Sequence, residues 1–398
     1  MIELMRKKER TLCLACGNNQ TNHTLSWLTN TACVLMEPFD KILINNQFGQ
    51  FIGHIIKLLT GPYLSLLQSL RLISWNTDST KALTKRSGVI WEEATKRGIR
   101  MEQLVILTKP VEFYRAYLPN GKRVFFESIP LTRRGYVESY SWMDDKSILK
   151  KKLAQAHVPT PHGNSVYTWK QAQKIWSTIN HPVIIKPRLG SRGRHTTTYI
   201  YTEDDLKRAY KEAKKLCFFV MVEEHLTGSV FRGTCVNGKL VGVLEGLPPK
   251  ITGNGKDSIE TLIAVKNSQL GRSVVKPVII TDGLKTFLKR TGYTLETIVP
   301  EKKTIELSEK IGTSYGGGSK ELFHTTHPKI KNSVEQAAQV VDAGVIGFDF
   351  IISDPTDDPD TQTWGIIECN SLPFINLHHD PVEGEPINVA SVIWDNAV

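Results

Sequence analysis

The stretch Gly347-Phe348-Asp349-Phe350-Ile351-Ile352, followed after an acidic, proline-containing loop by Trp364-Gly365-Ile366-Ile367-Glu368-Cys369-Asn370, decides how this chain is read. Both segments are short, apolar and rich in β-branched or aromatic residues, as buried strands are. Successive strand side chains alternate between faces, so Glu368 and Asn370 share one face. If the loop Ser353 to Thr363 closes the two strands into a hairpin, Asp349 comes to lie beside Glu368. Three hard oxygen donors, with no cysteine or histidine among them, suit Mg²⁺ or Mn²⁺ held against substrate phosphates. The acids of the loop, Asp354, Asp357, Asp358 and Asp360, lack the spacing of a calcium loop and read as a solvated turn.

Working upstream, Lys186 ends a buried strand, Val183 to Lys186, and leads into Pro187-Arg188-Leu189-Gly190-Ser191-Arg192-Gly193-Arg194. The amides of such a loop can cradle phosphate oxygens while the lysine neutralises charge. It is not a P-loop, because the lysine precedes the glycines and no Lys-Ser or Lys-Thr follows them. A strand over Thr196 to Tyr201 comes next, then a helix opened by the capping box Thr202-Glu203-Asp204-Asp205. Phe218 to Glu223 is a further apolar strand. Phe231 to Leu244 is a hairpin turning on Asn237-Gly238, a pair that supplies the positive φ angles of a type I′ turn. Before these elements Asp144 and Asp145 cap a helix that runs to about His157 and is stopped by Val158-Pro159-Thr160-Pro161. A helix over Ser333 to Ala343 precedes the acidic hairpin.

The texture changes near Ser141. Upstream, Phe51 to Trp75 has helical apolar spacing interrupted at Gly61-Pro62, which predicts two helices. Val105 to Leu107, Phe113 to Leu118 and Arg123 to Glu127 read as strands, with Pro119-Asn120-Gly121 as a hairpin turn. A small α/β region is expected here.

Composition bounds the answer. The chain has 398 residues, 40% of them hydrophobic, so extensive disorder is excluded and two or three domains are expected. Fifty basic against forty acidic residues leave a net charge of +10, which favours anionic partners. No apolar stretch reaches the length of a bilayer span, and the brief run Thr11 to Ala15 is too short for a signal-peptide core. Basic clusters such as Lys150-Lys151-Lys152 and Arg133-Arg134 read as solvated faces, so neither nucleic acid nor membrane is expected as a partner. Six scattered cysteines fit a reducing, cytoplasmic setting. Cys13-x-x-Cys16 with His23 and Cys33 can be written as a three-sulfur, one-nitrogen zinc site. The irregular spacing and the lack of a second C-x-x-C favour ordinary buried thiols instead.

Taken in order, Met143-Asp144-Asp145-Lys146, Ile184-Ile185-Lys186-Pro187, the Gly190 to Arg194 loop, Val222 to Gly228 (VEEHLTG), and Asp349 with Glu368-Cys369-Asn370-Ser371-Leu372-Pro373 resemble the ATP-grasp superfamily. Within it the chain is most similar to the ATP-grasp domain of cyanophycin synthetases and bifunctional glutathione synthetases. Arg232, Asn237 to Leu240, Pro248 to Gly255, Leu262-Ile263, Asn267, Gly316-Gly317, His327-Pro328 and His378 to Pro386 (HHDPVEGEP) all fall in that subgroup's order. The resemblance covers about Ser141 to the C-terminus.

The resemblance implies an α/β (α+β) chain in which two α+β subdomains grip the nucleotide, preceded by a smaller N-terminal α/β region. Residues 1–140 would be that region, 141–225 the small subdomain with the phosphate loop, and 226–398 the subdomain with the metal and substrate site. Lys146 and Lys186 would contact the ATP phosphates, and Gly190, Ser191, Arg192 and Gly193 would close over them. The strand ending at Glu223 would meet the adenine edge, and Asp349, Glu368 and Asn370 would hold Mg²⁺ or Mn²⁺. Arg232 would offer a guanidinium fork to an acyl phosphate or a substrate carboxylate.

The activity implied is ATP-dependent ligation of a carboxylate to an amine through an acyl phosphate, on an anionic amino acid or peptide. A homo-oligomer is compatible with this. The alternative is a degenerate ATP-grasp module that binds nucleotide without ligase turnover. It is motivated by Val230, where the family has an acid for the ribose hydroxyls, and by His195, where it has the second glycine of the phosphate loop. Asn254 replaces the aspartate of the family's Gly-Asp-Gly, and Gly246 an arginine. Since the sequence ends at Val398, without the Mur-ligase-like domain that follows in cyanophycin synthetases, alternating two-residue polymer synthesis by this chain alone is not expected.

Overall fold

The computed structural model describes residues 13, 15–16, 20–44, 60–130, 142–190, 193–269 and 275–397. The chain divides into two units, each assembled from three separate segments. The first is Met1–Val34, His162–His225 and Leu247–Gly318; the second is Leu35–Pro161, Leu226–Gly246 and Ser319–Val398. Each of the contiguous ranges 1–140, 141–225 and 226–398 is therefore shared between both units. No helix among the described residues is long and apolar enough to cross a membrane.

In the second unit, β1 (Ile73–Asn76), β2 (Arg100–Ile106), β3 (Lys109–Tyr117) and β4 (Arg123–Glu127) form an antiparallel sheet in that order. Strand β2 is longer than Val105 to Leu107 suggested. It carries Glu102 and Gln103, both buried, and Glu102 is held by the guanidinium groups of Arg100 and Arg115. Polar residues inside a strand erase the alternation by which strands are recognised. The Pro119-Asn120-Gly121 turn forms as expected, with Gly121 at φ +79°. Helix 60–69 carries Gly61-Pro62 in its first turn, where the missing proline N–H would have no intrahelical partner anyway. The pair therefore opens a helix; the helix expected before it falls on residues 51–59, outside those described.

Helix Lys85–Lys96, capped by Thr84 and Ser87, was not legible as such in the sequence. It buries Ile90 and Trp91 against Tyr114, Phe126 and the C-terminal helix Val389–Ala397, whose Trp394 donates its indole N–H to the Ile90 carbonyl at 2.9 Å. Beside this core His379 accepts the Ala390 amide at Nε2 (3.1 Å). Burial first, then the neighbouring His378, push the His379 pKa down to about 4. Protonation would destroy that acceptor. The unfolded imidazole titrates at about 6.5, so the unfolded chain binds the proton first. Stability present above pH about 6.5 is lost as the pH falls towards about 4. Solvent around the partly exposed ring limits the loss to about 2 kcal/mol. The urea midpoint is expected to be lower at pH about 5 than at pH about 7.5, with His379→Gln narrowing the difference; an unchanged difference in that variant would remove His379 as the cause.

In the first unit, β5 (Gly163–Val166), β6 (Val183–Pro187), β7 (Thr197–Ile200) and β8 (Val220–Glu224) form an antiparallel sheet in the order β5-β8-β6-β7. Helix Glu203–Ala213 lays Leu206 and Ala209 against Val183, Ile185 and Ile200 of this sheet. Its N-cap is Thr202, whose hydroxyl accepts the Asp205 amide as expected, while the Asp205 carboxylate accepts from that hydroxyl and not from the Thr202 amide, so the reciprocal half of the capping box does not form.

The second unit's other sheet begins with the hairpin of β9 (Ser229–Val236) and β10 (Lys239–Leu247). Its turn residues Asn237 and Gly238 have φ of 49° and 77°, the positive angles a type I′ turn requires. Next come β11 (Lys250–Thr252) and β12 (Thr304–Glu306), a two-stranded ribbon of the first unit, and then β13 (Gly318–Glu321), β14 (Val345–Ile352) and β15 (Gly365–Asn370). The five-stranded sheet runs β13-β10-β9-β14-β15. Helix Pro328–Val341 covers it, packing Ile330, Val334 and Ala337 against Phe231, Phe348 and Phe350. Gly228 enters β9 at φ +129°, where a Cβ would stand 2.3 Å from the Ile352 carbonyl oxygen. Only glycine fits that crossing of backbones.

Candidate active site

The acidic hairpin forms in the expected register. Across three adjacent strands, Glu368 of β15 faces Asp349 of β14, which faces Arg232 of β9. Directly opposed residues project from the same face, and two carboxylates so placed repel unless cations intervene. Here cations do. Arg232 grips Asp349 through Nε to Oδ1 at 2.6 Å and Nη2 to Oδ2 at 2.8 Å. Burial would lower the Arg232 pKa, but the Asp349 charge and hydrogen bonds, then Glu368, raise it, so the guanidinium stays charged. Asn370 places its amide 3.5 Å from Asp349 Oδ2. The fork expected to be offered to a substrate is therefore turned onto Asp349 along its Nε–Nη2 edge.

Lys146 is the first residue of helix Lys146–Gln155, whose N-cap Asp145 accepts the Ser147 and Ile148 amides. The buried lysine reaches to 3.4 Å from Glu368 Oε2. The start of this helix is fixed to β15 because the Cys369 thiol donates to the Met143 carbonyl at 2.9 Å. Burial holds that thiol protonated and raises the nearby Asp144 carboxyl above its usual range, the latter opposed by Lys146. The exposed ring of Phe374, just past the Glu368 strand, has the Arg232 guanidinium at 5.9 Å and that of Arg86 at 5.8 Å.

In the first unit Lys186, the penultimate residue of β6, is 6% exposed and lies 2.9 Å from Glu223 Oε2 on β8, at 1% exposure. Glu223, expected along the adenine edge, is thus the lysine's counterion. Gly190 and Gly193 take φ of 126° and 62°, angles that suit glycine. Ser191 and Arg192 fall outside the described residues. The ring of His195 is directed to Cys13, Cys16 and His23; Cys33 is exposed and outside that group.

One network was not assigned from the sequence. The buried His378 donates from Nδ1 to Glu321 Oε2 (2.5 Å) and accepts at Nε2 from the Thr234 hydroxyl (2.7 Å). Glu321 also accepts the Val243 amide at 2.8 Å. A Cβ on Gly242 would come 2.4 Å from the His378 ring, so this strand glycine makes room for the imidazole. A glycine inside an apolar strand, paired with a histidine doublet, was the available signal.

A buried lysine and a glycine-bearing loop on one antiparallel sheet, and in the other unit paired strand carboxylates with a lysine at a helix start beside them, are the parts of an ATP-grasp protein, and this chain belongs to the ATP-grasp superfamily. Its relatives are cyanophycin synthetases and bifunctional glutathione synthetases. It is 31% identical over 375 residues to the cyanophycin synthetase of Geminocystis herdmanii, covering 88% of this chain and 41% of that protein. It is 26% identical over 313 residues to the glutathione biosynthesis bifunctional protein GshAB of Clostridium perfringens, covering 76% and 40%. The crystal structure of a bifunctional glutathione synthetase from Pasteurella multocida shares the fold, with a TM-score of 0.59 and 22% identity over 78% of this chain and 42% of that one. The chain thus spans about two-fifths of the length of these relatives. No family model matches it.

Proposed function

We propose that this chain is an ATP-dependent carboxylate–amine ligase. The observation that carries the reading is the row Arg232, Asp349 and Glu368, two opposed carboxylates flanked by the cations Arg232 and Lys146 on a partly buried sheet face. Such a concentration of charge on one strand face is a local departure from the apolar strand pattern of the kind expected at a functional site. Asp349, Glu368 and Asn370 offer oxygen donors and no sulfur or imidazole, a set that fits Mg²⁺ or Mn²⁺. When bound, that ion supplies charge neutralisation at the ATP phosphates.

The chain's own groups do the rest. Lys146 and Lys186 present ammonium charge to phosphate oxygens, and the amides around Gly190 and Gly193 hold the terminal phosphates. Arg232 fixes the orientation of Asp349 and keeps Nη1 for a substrate carboxylate. ATP phosphorylates that carboxylate and ADP leaves; the amine then displaces phosphate from the acyl phosphate to form the amide. No serine or cysteine nucleophile is needed, because the phosphoryl group itself activates the acid.

The two arginines beside Phe374 and the net charge of +10 support an anionic amino acid or peptide as substrate, with aspartyl or glutamyl compounds first. The six cysteines, all free, support a reducing, cytoplasmic setting. The test is ADP release from ATP and Mg²⁺ against a panel of amino acids and acidic peptides, with product masses measured. ADP is expected only when a carboxylate and an amine are both present, with a product lighter than their sum by one water. For an acidic substrate KM should rise with ionic strength. Nucleotide binding with no turnover on any pair would instead support the degenerate module.

A further inference from the structure

Within the first unit, four side chains distant in sequence converge. Cys13 and Cys16 come from the N-terminal segment, His23 opens helix His23–Ile44, and His195 stands between the glycine-bearing loop and β7. Their ligand atoms all lie within 4.8 Å of one another. His195 Nε2 is 3.5 Å from Cys13 Sγ, 3.4 Å from Cys16 Sγ and 3.3 Å from His23 Nε2. Cys16 Sγ is 3.2 Å from His23 Nε2. A zinc tetrahedron with bonds of about 2.3 Å to sulfur and about 2.0 Å to nitrogen has edges of about 3.5 Å between sulfur and nitrogen and about 3.3 Å between nitrogens. The four distances match those edges.

Hydrogen bonding alone does not account for the cluster. His195 Nδ1 lies 2.8 Å from the Glu212 carbonyl, which can only accept, so Nδ1 carries the proton and Nε2 presents a bare lone pair to the centre. One lone pair cannot serve two sulfurs and a second imidazole nitrogen as separate hydrogen bonds, whereas a metal ion binds all four groups at once. The Glu212 carbonyl is the kind of partner that fixes the tautomer and orientation of a metal-bound imidazole. The chain around the cysteines is set as well. The Cys16 amide donates to the Cys13 carbonyl at 3.1 Å, and Gln20 closes on Cys13 by accepting its amide at 3.0 Å and donating to its carbonyl at 2.9 Å.

The backbone at His195 adds a second line of argument. It has φ 51°, a left-handed angle that favours glycine, and its amide donates to the Ala15 carbonyl at 3.0 Å. A histidine held there at a conformational cost, with its ring at 1% exposure, is a position kept for the ring's chemistry.

We propose that Cys13, Cys16, His23 and His195 hold one zinc ion in a closed, four-coordinate structural site that clasps the N-terminal segment to the end of the glycine-bearing loop. Two thiolates and two imidazoles are a donor set for Zn²⁺, and four protein ligands leave no position for substrate. The reading that made Cys13 and Cys16 ordinary thiols, with Cys33 as the alternative third sulfur, is thereby revised: the missing ligand lies in the loop region, too far along the chain for a spacing rule to find. The site stands independently of the ligase reading, since its test measures metal and not turnover.

The full chain, produced with zinc in the medium and purified in reductant, is expected to carry one zinc per chain by elemental analysis. Cys33→Ser should retain it, and Cys16→Ser and His195→Gln should each lose it. Because a variant can fail to fold, the wild-type protein stripped by a chelator is also titrated with Co²⁺. It should develop the intense visible bands of tetrahedral cobalt and a thiolate-to-cobalt charge-transfer band, saturating at one equivalent and reversed by Zn²⁺. Wild-type protein without zinc, a weak octahedral cobalt spectrum without the thiolate band, or a Cys13–Cys16 disulfide recovered under reductant would each overturn the proposal.

Discussion

Asp349→Asn is expected to lower ATP turnover by about 100-fold or more, the scale of loss when one preorganised charged group is removed from a transferring phosphoryl group. The substitution keeps the volume of the side chain and removes its charge. Asp349 is the pivot of the strand row, holding Arg232 with both oxygens and facing Glu368 across the hairpin. Removing the charge also leaves the Arg232 guanidinium, 22% exposed, without its principal counterion. A buried pair broken on one side costs about 3–5 kcal/mol, and partial solvent access here reduces that to about 2 kcal/mol. Stability and chemistry can therefore be separated. Combining Asp349→Asn with Arg232→Gln should recover most of the urea midpoint, because two neutral amides replace the broken ion pair, while turnover stays low. Turnover near that of the wild type in folded Asp349→Asn would remove Asp349 from the site.

What the sequence disclosed follows the range over which each signal acts. Asp349 and Glu368 were legible as partners because both lie in apolar strands joined by a turn-rich loop, so local pattern set the pairing. The Asn237-Gly238 hairpin and the Thr202 cap were legible for the same reason: each is decided by a few adjacent residues. Lys186 was recognised at the end of its strand, but its counterion was not, since Glu223 sits on another apolar strand and pairing between strands is not written in either alone. His195 looked like a departure from a glycine because its partners lie at the far N-terminus. The N-terminal sheet was half read. Glu102 and Gln103 break the alternation of β2; the burial of Glu102 is offset by Arg100 and Arg115 on the same and the neighbouring strand, and that of Gln103 by hydrogen bonds its amide donates to the Tyr114 hydroxyl and the Val111 carbonyl. The interleaving of chain segments between two units is likewise a property of long-range contacts, which contiguous boundaries cannot express.

The other large effect concerns Lys186. Lys186→Met is expected to reduce ATP turnover by about 100-fold or more, through loss of an ammonium that neutralises phosphate charge. The variant is also expected to lose stability, and this distinguishes it from an exposed ligand-binding lysine. Lys186 and Glu223 are 6% and 1% exposed and 2.9 Å apart. Methionine fills the volume of the lysine stem and offers the Glu223 carboxylate no cation. Breaking such a pair on one side costs about 3–5 kcal/mol, yet replacing both members by apolar residues of similar volume is often neutral. Lys186→Met together with Glu223→Met should therefore regain the wild-type unfolding free energy to within about 1 kcal/mol, read by urea titration. If Lys186 serves only as the counterion of Glu223, turnover returns with stability in the double variant. If it also faces phosphate, stability returns and turnover does not, with the loss expressed in both nucleotide affinity and kcat. Recovery of ATP turnover in the double variant would assign Lys186 to the sheet and exclude it from nucleotide chemistry.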